Sequence, residues 1–380
     1  MADCIKRDYD NIVLVLQGGG ALGAYQAGVY EGLAEAGYAP GWVTGVSIGA
    51  INAALIAGNL PELRVKRLRE FWDLVSSGLI GHAPRVFEEM HRVFNRASSA
   101  ISTVVGVPGF YQPRMPPAAL MPHGHPDGLS LYDTQLLRGT LERLVDFDLI
   151  NGRQVRLSVG AVNVRTGNST YFDNAQTRFG PEHVMASGAL PPAFAPVEID
   201  GESYWDGGIV SNTPLWYVLD DSPRLKGLIV QVDLFSASGE LPLDLDQVIE
   251  RQKDITYSSK SRFNTSRLTE SQKLRYALHR VLEILPDALK AHPDVQALAA
   301  IGHRSHVDIL HLINRPYGYT LASKDNEFSR ATVNQLWASG LEDARYALAH
   351  FGSLTASEGS EGIRVFDILH RPVASAERMA

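Results

Sequence analysis

This 380-residue chain has one cysteine, Cys4. Intrachain disulfides and clusters of zinc-binding thiolates are therefore excluded, and stability must come from packing. Positive charge is not in excess. The 35 Lys and Arg stand against 42 Asp and Glu, a net charge of −7, so the bulk field draws no nucleic acid. No apolar run approaches the 18 or more residues of a membrane span. The first apolar stretch, Ile12 to Leu16, runs straight into glycines and lacks the cleavage site of a signal peptide. A cytoplasmic protein is the expectation. What is present, 45% hydrophobic and 20% charged residues, is the composition of an ordinary globular chain of two or three domains.

Ile12 to Leu16 reads as a buried parallel strand, and Ala21 to Ala36 as a helix stopped by Gly37. A second strand at 42–44 and a second helix from Ala50 to Ala57 complete a parallel α/β pattern early in the chain. Residues 64–75 predict an amphipathic helix. An irregular apolar insertion then fills about 78–130, with five prolines and one charge, Arg114, between Ile101 and Pro122. Beyond it come a helix over 131–147, a hairpin around Thr166-Gly167-Asn168, and a buried strand at 228–234. After about 236 the pattern is mainly helical, over 245–289 and 328–351, with one isolated strand at 306–313. The expected division is a domain at 11–235 and a helical C-terminal extension at 236–380.

Gly18-Gly19-Gly20-Ala21-Leu22-Gly23 fits G-x-G-x-x-G between a strand and a helix, which alone is a dinucleotide fingerprint. That reading needs an acid about 20 residues on. Tyr38 to Ile48 contains none. In its place stands Gly45-Val46-Ser47-Ile48-Gly49, a G-x-S-x-G in the strand-to-helix setting of a nucleophile elbow. A base for Ser47 could be a late histidine, His303, His306 or His311, as in α/β-hydrolases. The other candidate is Asp206, followed by Gly207-Gly208, whose plainer reading is an Asp-Gly hairpin turn.

Taken together, Leu16 to Gly23, Gly45 to Gly49 and Asp206-Gly207-Gly208 resemble the patatin-like phospholipases. Ala186-Ser187, Pro191 to Pro196 and Asn212-Thr213-Pro214 reinforce the likeness over roughly residues 11–235. The resemblance implies a three-layer α/β/α sandwich and a Ser–Asp dyad that needs no cofactor or metal. Ser47 would be the nucleophile and Asp206 the base. Backbone N–H groups of Gly18, Gly19, Gly20 and Ile48 would form the oxyanion hole, with Gly23, Gly45, Gly49, Gly207 and Gly208 as motif glycines. The implied substrate is a lipid or related acyl ester. Where the family often carries Arg or Lys, this chain has Leu22.

Two rivals are an acyl transferase using the same serine and a nucleotide-binding protein using Gly18 to Gly23. His123-Gly124-His125-Pro126-Asp127 has the look of a metal site, and His303, His306, Asp308 and His311 cluster in sequence. Both sets read more simply as ordinary polar residues. Residues 250–280 hold eight Lys or Arg against three acids. That is either a solvated helix face or a peripheral contact with an anionic membrane.

Overall fold

Alternate residues of the first strand, β1 (Ile12–Leu16), enter opposite cores: Leu14 and Leu16 one, Val13 and Val15 the other. A strand apolar on both faces has to lie inside a sheet covered on both sides. The computed structural model describes residues 9, 11–78, 98–99, 101–221, 227–302, 307–315, 324–355 and 363–368. After β1 come α1 (Gly23–Glu35), β2 (Trp42–Val46), α2 (Ile48–Ala57) and α3 (Pro61–Val75). A short antiparallel ribbon pairs β3 (Gln112–Pro113) with β4 (Tyr132–Asp133), followed by α4 (Gln135–Leu144) and α5 (Phe147–Asn151). Next are β5 (Arg156–Asn163), β6 (Ser169–Asp173), α6 (Pro181–Ser187), β7 (Val197–Ile199) and β8 (Glu202–Asp206). The chain continues through α7 (Leu215–Asp221), β9 (Gly227–Asp233), α8 (Leu245–Ile284), α9 (Asp287–Lys290) and α10 (Pro293–Ile301). It closes with β10 (Val307–Ile313), α11 (Arg330–Thr355) and β11 (Ile363–Asp367).

Six strands, in the order β11-β10-β9-β1-β2-β5, are parallel, and β6, β7 and β8 complete one nine-stranded sheet with antiparallel pairings. Helices α1, α2, α3 and α11 share the larger core on one face. The smaller core on the other joins Val13, Val15 and Ile229 to Leu215, Val218 and Leu219 of α7. The three-layer sandwich is the one the resemblance implies.

Three expectations change. The helix expected over 131–147 breaks at Val145, and Asp146 starts α5 by accepting the Leu149 N–H at 3.0 Å. The helix over 245–289 stops at Ile284, where Pro286 forces Leu285 into extended backbone. The strand at 306–313 is not isolated: β10 lies parallel to β9, from Val307 opposite Gly227 to Ile313 opposite Asp233, and β11 pairs along its far side. The sheet therefore runs on across residue 236. Positions 79–97 of the insertion lie outside the described residues, as do His303 and His306.

One junction in the sheet positions the site. Residues 158–162 of β5 pair with β6 along one edge. The opposite edge is shared, with β2 covering Arg156 to Gly160 and β8 covering Ala161 to Asn163. Val46 is opposite Gly160 and Asp206 is opposite Ala161. The end of β2 therefore meets the end of β8, which brings Ser47 and Asp206 together from distant parts of the chain.

Candidate active site

Ser47 leaves β2 with φ 56° and ψ −124°, a left-handed conformation that costs a non-glycine residue energy. Its neighbours must be small. A Cβ on Gly45 would lie 2.2 Å from the Gly49 carbonyl oxygen, and one on Gly49 would lie 2.4 Å from that of Leu16. Serine at the start of a helix ordinarily caps it with its hydroxyl. Ser47 occupies that position in α2 and makes no such bond. Its side chain instead acts on the carboxylate of Asp206, whose charged form it favours. The Ser47 N–H is held by Ser187, through the carbonyl at 3.1 Å and Oγ at 3.0 Å. Ser187 in turn donates to the Gly160 carbonyl at 2.6 Å.

Asp206 is 2% exposed. Burial pushes its carboxyl up to about 6, against the Ser47 side chain and the hydrogen bond from the Gly208 N–H at 2.7 Å, which favour the charged form. The sequence 206–208 is thus not a hairpin: β8 ends at Asp206 and a tight 3-10 turn follows. No histidine stands beside the pair among the described residues. His311, the remaining late candidate, bonds Asp233 at 2.7 Å.

The glycine loop needs one correction. The Gly18 N–H donates to the Asn212 carbonyl at 3.1 Å, and Asn212 Nδ2 donates back to the Gly18 carbonyl at 3.0 Å. Gly18 is therefore a clamp point and not an oxyanion donor. The N–H groups of Gly19, Gly20 and Ile48 have no acceptor among the described residues. Gly20, at φ 56°, lies so close to the Asp325 carbonyl that a Cβ there would be 2.1 Å from it. The motif glycine Gly23 packs closely on Ile48.

Two neighbours of the site carry no signal in the sequence. Tyr257, on α8, packs against Phe235 with ring centroids 4.8 Å apart and the rings tilted by 30°. Burial, then the charges of Asp325 and Asp206, push its phenol pKa up, which puts it within the electrostatic reach of the pair. Asp325 belongs to a loop tied to α8 by two lysines, since Lys253 bonds its carboxylate at 2.7 Å and the buried Lys324 bonds Glu250 at 3.2 Å. Both residues lie far along the chain from Ser47, and no local pattern marks them.

The remaining expected features sit elsewhere. Asp127 pairs with Arg114 at 2.5 Å, and His125 Nδ1 caps the Asp127 N–H. Asp308 is bound by both arms of Arg364 at 2.7 Å. Among the described residues no three His, Cys, Asp or Glu side chains are placed to hold a metal. The basic stretch 250–280 lies in α8, where Arg251 binds the Ser236 and Ala237 carbonyls and Lys253 binds Asp325. Two of its cations thus face the protein. Among the described residues no helix is long and apolar enough to cross a membrane.

Two solved structures are similar to the chain in overall course. One is VipD from Legionella pneumophila, at 15% identity and a TM-score of 0.40, covering 90% of this chain and 67% of that one. The other is human GIVD cytosolic phospholipase A2, at 12% identity and a TM-score of 0.39, covering 91% and 61%. The chain thus spans about three fifths of the human enzyme. No curated protein matches the sequence. Residues 255–358 match a family described as patatin phospholipase. Residues 14–219, more than half the chain and including both Ser47 and Asp206, match the patatin-like phospholipase family, and the protein belongs to that family.

Proposed function

We propose that the protein is a serine acyl hydrolase acting on carboxylic esters of lipids through Ser47 and Asp206. The observation that carries this reading is Ser47, held at φ 56° at the start of α2 with no helix-cap bond from its hydroxyl, beside the buried carboxylate of Asp206 where the ends of β2 and β8 meet. Asp206 accepts the hydroxyl proton as Ser47 Oγ attacks the ester carbonyl carbon. The carbonyl oxygen becomes an oxyanion, stabilised by the N–H groups of Gly19, Gly20 and Ile48, each worth about 3–4 kcal/mol in comparable sites. Collapse expels the alcohol, protonated by Asp206, and leaves an acyl-Ser47 ester. Water, deprotonated by the same carboxylate, then releases the acid. A carboxyl with a pKa of about 6 is a far better base than an ordinary one and is still about nine-tenths ionised at pH 7.

An apolar cleft of about 200 Å³ lined by Val75, Ile101, Val105, Val107, Tyr111 and Phe328 supports an acyl substrate. Helix α3 connects it to the site, with Trp72 against Gly23 and Val75 in the cleft. Leu22 is buried, so the glycine loop offers no cation to a head group. Phospholipase A and lysophospholipase action are separated by comparing diacyl and monoacyl phospholipids. The exposed cations of α8, Lys273 and Arg280, suit a peripheral contact with an anionic membrane. Such binding to anionic vesicles would weaken with added salt, and salt-independent binding would exclude it.

The direct test is a fluorophosphonate probe with mass mapping of the adduct. Wild type is expected to carry the adduct on Ser47, and Ser47→Ala and Asp206→Asn to carry none. A folded wild type that remains unlabelled would defeat the proposal.

A further inference from the structure

Thr213, Asp233 and His311 form a hydrogen-bonded row that ends on the glycine loop, and neither the dyad nor the oxyanion hole uses it. Gln231, Asp233 and His311 point to the same face of the sheet as Val13 and Val15, by strand alternation, at the carboxyl ends of β9 and β10. His311 Nε2 lies 2.7 Å from Asp233 Oδ2, and Gln231 Nε2 donates to the same oxygen at 2.9 Å. Asp233 Oδ1 accepts from Thr213 Oγ1 at 3.4 Å. That hydroxyl is itself an acceptor for Gln17 Nε2 at 3.0 Å. The chain of donors has one direction: Gln17 to Thr213, Thr213 to Asp233, with His311 donating from the other side.

Both of its inner ends touch the site. Gln17 immediately precedes the glycine loop, and its Oε1 accepts the N–H groups of Leu234 and Phe235 at 2.6 and 3.1 Å. Leu234 and Phe235 are the side chains against Gly19. Thr213 immediately follows Asn212, which clamps Gly18 from both its N–H and its carbonyl. Asp233 is 4% exposed, and a buried carboxylate needs donors on every side to remain charged. Gln231 Nε2 also lies 3.3 Å from His311 Nε2, so the amide, the imidazole and the carboxylate form one cluster.

We infer that His311 and Thr213 are positioning residues for the oxyanion loop, acting through Asp233 and Gln17 to hold Gly18 and Gly19 in register with Ser47. The inference rests on the proposed Ser47 chemistry for its kinetic effect and on geometry alone for its structural one. It also gives β10, in the C-terminal third of the chain, a part in the site.

Two measurements on Thr213→Val and His311→Ala test it: the rate of fluorophosphonate labelling and ester turnover, and amide hydrogen exchange of the peptide spanning 17–23. Thr213→Val keeps the shape and removes the hydroxyl that links Gln17 to Asp233. It is expected to lower kcat and labelling by about tenfold or more, with KM nearly unchanged, because small displacements of oxyanion donors weigh on the transition state. Exchange in 17–23 is expected to quicken while α2 stays protected. Thr213→Ser restores both readouts, and His311→Gln, a neutral donor, restores them in part. Wild-type labelling and exchange in both Thr213→Val and His311→Ala would overturn the inference. So would a general loss of protection with no local change at 17–23. An unlabelled wild type would defeat the hydrolase reading, and the exchange measurement would still decide the positioning row.

Discussion

At the scale of single residues, burial of one carboxylate sets both the pH dependence of the site and a stability cost. Asp206 has its pKa raised from the ordinary 3.8 to about 6. The base works only when ionised, so labelling and kcat/KM are expected to rise with pH through about 6 and then level off. A profile centred near 4 would mean the carboxyl is solvated in solution. The sign of the stability effect follows from the same shift. The folded protein binds this proton more tightly than the unfolded chain, so stability falls as pH rises from about 4 to 6, and above 6 the buried charge costs about 3 kcal/mol. Asp206→Asn removes that charge. It is expected to melt higher than wild type at pH 8 and at the same temperature at pH 4, while losing activity throughout. The candidate dyad was legible because an elbow and an Asp-Gly-Gly turn are local chemistry. That Gly18 is occupied was not legible, because its partner Asn212 is 194 residues away and only the fold brings its carbonyl there.

Among the elements, α1, α2, β1 and β2 follow the apolar pattern of the sequence to within a few residues, because each is closed locally by glycine or by a strained turn. The partner of α1 was hidden. Helix α11 packs along it, with Trp337 buried at 2%, its ring stacked under the Arg69 guanidinium at 3.5 Å and its Nε1 bonded to Glu31. Tyr25 of α1 answers with a hydrogen bond to Asp343 at 2.9 Å. Helical periodicity states that α11 has an apolar face, and not which distant helix that face covers. Trp337→Ala would open a large cavity between the two helices and leave Glu31 half-buried without its indole donor. A loss of about 3–5 kcal/mol is expected, read as a lower denaturant midpoint. A change under about 1 kcal/mol would mean that α11 is loosely held in solution. Because α1 begins at Gly23, directly after the glycine loop, the same variant is expected to slow labelling of Ser47.

For the whole molecule, the question is whether residue 236 divides two folding units. Composition changes there from alternating strands and helices to long helices, which is the pattern of a boundary. Parallel pairing between strands so far apart in sequence leaves no local trace, so β10 and β11 could not be assigned to the first sheet from pattern alone. With them in place, β9 is an interior strand, every residue buried from Gly227 to Asp233. Cutting the chain after 236 would turn β9 into a long, flat, apolar edge and uncover the face of α1 that α11 protects. Such an edge pairs with other chains. The fragment 1–236 is therefore expected to be insoluble or to bind hydrophobic dyes, and the full chain to unfold with its Ser47 and Trp337 regions losing protection together. A soluble, monomeric fragment 1–236 that takes the fluorophosphonate adduct at the wild-type rate would establish two independent units. It would also remove β10, and with it His311, from any part in holding the glycine loop.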